Sequence, residues 1–144
     1  MLRKINPDAE KFPRAAQAEE ALIGVLILHP DLIPKAVSVF PPEKMVTAFN
    51  KRMYQYLADR KSAGLLIELP FFSADFDDAE MAYIARTVET ANKSAFTWED
   101  TQKYIEIILE ESALRGLSDP KSLNNDDIAD ILAVMRERKN KNTQ

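Results

Sequence analysis

Apolar residues recur at helical intervals along most of this chain. "RAAQAEEALIGVLILH", Arg14 to His29, opens with strong helix formers and becomes apolar almost all round after Ala21. Ile23, Val25 and Ile27 alternate as a buried strand would, but the length of the segment and its first half predict a central buried helix. Gly24 stands inside it and predicts a close helix crossing. His29-Pro30 ends it, because the residue before proline is pushed out of helical geometry. "DLIPKAVSVF" predicts a short second helix, with Asp31 as N-cap and Pro34 in its first turn. Thr47 is placed to cap a third helix ending near Ala63, with Gly64 as its stop. Val46, Phe49, Met53, Tyr56 and Leu57 share one face of it, and Lys51, Arg52 and Gln55 point elsewhere.

"LLIELPFFSADF" has no period and reads either as a short helix or as a packed loop. "DDAEMAYIARTVETAN" predicts an amphipathic helix with Met81, Ile84, Ala85 and Val88 inward. Thr97 then caps a helix with an acidic first turn, and Tyr104, Ile105, Ile108 and Leu109 continue its stripe towards Leu114. Gly116 to Asn125 breaks the pattern. A last helix carries Ile128, Ile131, Leu132 and Met135, with cations gathered at its C-terminal end. The expectation is an all-α fold. A linker over 1–13 precedes a helical bundle over 14–101 and a C-terminal helical hairpin over 102–144.

Composition narrows the chemistry. The 144 residues include three glycines, no cysteine and one histidine, His29, so thiolate zinc sites, disulfides and multi-histidine metal sites are excluded. The formal net charge of −4 argues against a nucleic-acid binder, which would carry a basic excess. "ALIGVLIL", the longest apolar run, is too short to span a bilayer, and the reading is cytoplasmic. Asp75 and Asp77 form an Asp-x-Asp with Asp78 beside it, a spacing that holds Mg²⁺ when further ligands stand near. Those acids also sit where a helix N-terminus wants them, and capping is the expectation. No phosphate-binding glycine loop, nucleophile elbow or metal-ligand cluster is present. The expectation is a non-catalytic fragment with no cofactor and no metal site.

Two stretches together resemble a known family. "FPRAAQAEEALIGVLILHPDLI" followed by "VTAFNKRMYQYL" is similar to the C-terminal, helicase-binding domain of bacterial DNA primase of the DnaG type. In that family an Ala-x-x-x-Glu helix precedes a His-Pro-x-x-Ile turn, and a Phe-Val-Thr-x-Phe-Asn-x-Arg-x-Tyr-x-x-Leu segment follows. Here Met45 stands where phenylalanine is common and Lys51 where arginine is common. The resemblance covers residues 12 to 111 and weakens beyond Ser112.

The resemblance implies an adaptor. Its bundle would be similar in fold to the N-terminal domain of the replicative helicase. Its hairpin would dock on the N-terminal domains of that DnaB-type helicase during DNA replication. Primer synthesis, a nucleotidyl transfer, and most contact with nucleic acid would belong to other domains of the parent primase. By spacing alone the stripe of the last helix either packs against its neighbour in the same molecule or faces a partner; on the resemblance the partner-binding residues are Leu117, Ile128, Ile131, Leu132, Met135, Arg136 and Lys139. The alternative is the N-terminal oligomerisation domain of a replicative helicase. A magnesium-dependent enzyme using Asp75 and Asp77 is a third reading.

Overall fold

The computed structural model describes residues 4–93 and 97–118, the last four of these by backbone alone. Among the described residues the regular structure is helical, with no strand. Five α-helices carry it: α1 Pro13–Leu28, α2 Ile33–Val39, α3 Ala48–Ser62, α4 Asp78–Asn92 and α5 Trp98–Ser118. Short 3₁₀ turns at Pro7–Glu10, Pro30–Leu32, Pro42–Lys44 and Leu69–Ala74 join them, each with a proline in its first positions. Proline suits those positions because its fixed φ fits and its missing N–H would have no partner there.

α1 is the axis. α3, α4 and α5 all pack on it, and α2 packs on α3. Leu22, Ile23, Leu26 and Ile27 are buried on one side of α1, and Ala15, Ala16, Ala18 and Val25 are buried as well. That near-complete burial is why the segment lacks a polar face. Each fully covered Leu or Ile contributes roughly 1.5–3 kcal/mol relative to exposure. Gly24 faces α4. A Cβ built on it would lie 2.7 Å from Ala91 Cβ and 2.8 Å from the Thr87 carbonyl oxygen. The glycine therefore sets how closely α1 and α4 cross.

The helix ends show which local signals hold. Gly64, at φ +75°, follows α3 in the left-handed region, and the N–H of Leu65 donates back to the Arg60 carbonyl. Asp77 accepts from the Glu80 N–H while the Glu80 carboxylate accepts from the Asp77 N–H, a reciprocal capping box that opens α4. Thr97 and Asp100 make the same exchange at the start of α5.

Several expectations change. Asp31 does not cap α2. It lies within the 3₁₀ turn at Pro30, and Leu32 takes the cap position without a side-chain bond. Ala85 is exposed rather than inward. On α3 the buried tyrosine is Tyr54, at 0% exposure, while Tyr56 is half-buried. Tyr54 reaches back to the end of α2, where its hydroxyl donates to the Phe40 carbonyl at 2.6 Å and its ring stacks on Phe40. The first residues, expected as a linker, touch the bundle. Asn6 is buried, and the Asp8 carboxylate accepts from the Ala48 N–H at 3.0 Å, filling the cap that Thr47 was expected to make. The expected boundary between 101 and 102 falls inside α5, whose Ile105, Ile108 and Leu109 belong to the bundle core. The second arm of the expected hairpin lies outside the described residues.

Candidate functional site

Three constellations stand out, and the first is a buried acid. Glu19 sits mid-way along α1 at 0% exposure. Its carboxylate accepts from the Val46 N–H at 2.5 Å, the Thr47 hydroxyl at 2.6 Å, the Asn50 side-chain amide at 3.2 Å and the Thr47 N–H at 3.4 Å. The Thr47 hydroxyl in turn accepts from the Asn6 amide at 3.2 Å. Burial pushes the Glu19 carboxyl above its ordinary value, and the donated hydrogen bonds pull it back. At 0% exposure, with its bonds made to the start of α3, it offers no open face to a substrate. It clamps α1, the start of α3 and the N-terminal arm together.

A second constellation lies where α3 meets the start of α4. Arg52, off the apolar stripe as expected and still exposed, donates to the Glu80 carboxylate at 2.8 Å and to the Asp75 carbonyl at 3.1 Å, and lies over the Phe76 ring. The Tyr56 hydroxyl donates to the Asp75 carboxylate at 2.6 Å. Asp75 and Asp77 therefore serve different partners. Among the described residues no group of acids or histidines is arranged to hold a metal ion. Arg60 completes this wall by donating twice to the Leu66 carbonyl, at 2.8 and 3.0 Å, beneath the rings of Tyr56 and Phe72. The irregular stretch is thus a packed loop around one 3₁₀ turn. It buries Ile67, Phe72 and Phe76 and leaves Leu65, Leu66 and Phe71 exposed.

The third is a groove of about 590 Å³ between α1, α4 and α5. Ala18, Ala21, Val25 and Ala91 form an apolar floor, and Tyr104 and Ile107 of α5 make one wall. The rim is polar. The Tyr83 hydroxyl donates to Glu20, whose carboxyl is raised by burial and by neighbouring Glu19 and drawn back by Arg86. Arg14, across the groove, pairs with Glu110 at 3.7 Å. The volume is that of a ligand pocket, and the shape is a furrow between helices that suits a side-chain stripe. Sequence reading missed the groove, because its residues come from three helices and only the packing brings them together.

The expected partner-binding residues are Leu117 and six that follow α5 in the sequence. Leu117 lies in the last turn of α5, where only the backbone is described. Ile128, Ile131, Leu132, Met135, Arg136 and Lys139 lie outside the described residues. His29 stands at the end of α1, with its N–H bonded to the Val25 carbonyl. No single helix among the described residues is long and apolar enough to cross a membrane. No family model matches the chain, and neither a curated protein nor a solved structure shows a match to it.

Proposed function

We propose that this chain is the helicase-binding adaptor domain of a bacterial DNA primase of the DnaG type. On this reading it docks the primase on the N-terminal domains of a DnaB-type replicative helicase in the bacterial cytoplasm. It also stimulates that helicase during primer synthesis. The fragment works by association, and catalysis belongs to other domains of the parent protein. The anchors are Leu117, Ile128, Ile131, Leu132 and Met135, with Arg136 and Lys139 at the rim, where charge governs association rate more than affinity.

The observation that supports the reading best is the join at Glu19. The two stretches that carry the resemblance are joined in space, with Val46, Thr47 and Asn50 of the second, 27 to 31 positions on, all bonding Glu19 of the first. Ala15, one turn before Glu19, is fully buried, and Tyr54 of the second stretch is fully buried too. The shared residue types are therefore those that fix one bundle. That is what a family of scaffolds, rather than of active sites, would have in common.

The test is co-elution. Mixed with the hexamer of a bacterial replicative helicase, the chain is expected to move into the hexamer's elution volume on size exclusion. Separate elution at every ratio tried would remove the proposal.

A further inference from the structure

The N-terminal arm is held lightly, yet it ends on a buried network. No residue of its 3₁₀ turn at Pro7–Glu10 is buried. Ile5 packs at the margin of the core, and Asn6 is buried. Two side-chain hydrogen bonds cross from the arm to the start of α3. The Asn6 amide donates to the Thr47 hydroxyl at 3.2 Å, and the Asp8 carboxylate accepts from the Ala48 N–H at 3.0 Å. α3 has no side-chain cap of its own, because the Thr47 hydroxyl donates to Glu19. Asn6 Oδ1 is buried without a hydrogen-bond partner among the described residues, which favours any state that wets it.

We propose that residues 4–12 are a strap that opens as one unit from the start of α3 while the bundle stays folded. A segment with few buried apolar contacts opens at a lower free energy than core helices do. α1 and α3 bring Leu22, Leu26, Met53 and Leu57 into the core, each almost wholly covered, while the arm brings Asn6 and the half-buried Ile5. The two bonds of the strap end on adjacent residues, Thr47 and Ala48, so they are made and lost together. Loss of the Asp8 cap loosens the first turn of α3 and with it the Thr47 hydroxyl that Asn6 holds. A partner that draws residues 4–12 away would therefore uncap α3 and wet the acid beneath, carrying the position of the arm into the middle of the bundle. The strap does not depend on the helicase reading.

Glu19 makes the strap sensitive to pH. With the arm closed, burial holds its carboxyl above the ordinary value, and the donors of Val46, Thr47 and Asn50 draw it back. Those donors are neutral. Of the charged groups on the packed elements, Asp8 and Lys11 of the arm, Lys51 of α3, Arg86 of α4 and Glu106 of α5 do not contribute, while Glu20 beside it is itself raised by Glu19. Opening lets water reach Thr47 and then Glu19, whose carboxyl returns towards its ordinary value of 4.5 and releases a proton. Opening is therefore favoured as pH rises from the ordinary value to the closed-state one, by at most about tenfold per pH unit for one proton.

Amide hydrogen exchange on the full chain tests the strap, with each rate divided by the intrinsic rate of that amide at the same pH. The N–H of Ala9, bonded to the Asn6 carbonyl, and that of Ala48 are expected to exchange through one opening, well ahead of Leu26 and Met53. Asp8→Ala takes the acceptor from Ala48 and is expected to speed its exchange about fivefold, the equivalent of a lost N-cap. The Thr47 N–H, which bonds Glu19, and the Asn6 side-chain amide should speed up with it, while Leu26 and Met53 hold. Acceleration confined to Ala48 would overturn the proposal. So would equal acceleration of Leu26 and Met53, since the arm would then open only with the whole fold. In the unaltered chain the Thr47 ratio should climb as pH rises above 4.5, and in Glu19→Gln it should stay level. A level ratio in the unaltered chain, or a climb that survives Glu19→Gln, would remove the acid from the device and overturn its pH dependence.

Discussion

Glu19 shows how one residue can serve the fold while looking like chemistry. It is an acid in the middle of an otherwise apolar helix, and four donated hydrogen bonds converge on it. Glu19→Ala removes the acceptor and strands buried donors of Val46, Thr47 and Asn50. Breaking a buried charged network from one side costs about 3–5 kcal/mol, so urea denaturation should show a loss of that size. A pH dependence follows from the same burial. Glu19 and Glu20 both titrate higher in the folded chain than their ordinary value of 4.5. Folding therefore takes up protons. Their contribution to stability is fully present below the unfolded value and is lost as pH rises through the folded one. The denaturation midpoint should fall as pH is raised from about 5 to about 8, and Glu20→Gln should flatten part of that fall. A wild-type midpoint that climbs over the same range would mean that burial is not the dominant influence. At this scale the sequence was half legible. Thr47 stands at the expected cap position, but its hydroxyl serves Glu19 and Asp8 does the capping. Tyr54 escaped the apolar stripe because its polar tip hid a ring that turns towards Phe40.

Elements were the most legible level, because each helix carries its own start, stop and period. The capping box at Asp77 and the glycine stop at Gly64 are local signals, and both hold. Asp77→Ala should cost about 1 kcal/mol, the usual loss for an N-cap, measured as a drop in thermal midpoint. No change in the midpoint would mean that the Arg52–Glu80 pair holds the start of α4 by itself. Gly24 belongs to this scale too. The backbone carbonyl of Thr87 cannot yield cheaply to a new methyl group, so Gly24→Ala should destabilise by about 1–3 kcal/mol despite alanine's better helix propensity. A more stable variant would show that α1 and α4 can move apart freely. Elements failed to be legible where a neighbour decides the outcome. Ala85 fits the stripe by spacing but faces solvent, and Asp31 is absorbed into a 3₁₀ turn.

For the whole molecule, periodicity pointed to an all-α bundle, and the described residues form one around α1. The groove was not legible, because no single helix contains it. The boundary expected between 101 and 102 falls within α5, because Thr97 announces a new helix but not that Ile105, Ile108 and Leu109 pack in the existing core. That burial ties α5 to the bundle, so a shortened chain that keeps α5 keeps these core contacts. The central claim is association with a replicative helicase through the residues beyond α5. Its most direct measurement is calorimetric titration of the helicase N-terminal domain with the full chain and with a chain ended at Leu117. The full chain is expected to bind, and the shortened chain to melt cooperatively yet give no binding heat. Ile131→Asp should weaken binding by ~2 kcal/mol or more and Arg136→Ala by less, as for an anchor and a rim charge. Full affinity in the shortened chain, or no binding by the complete one, would contradict the account.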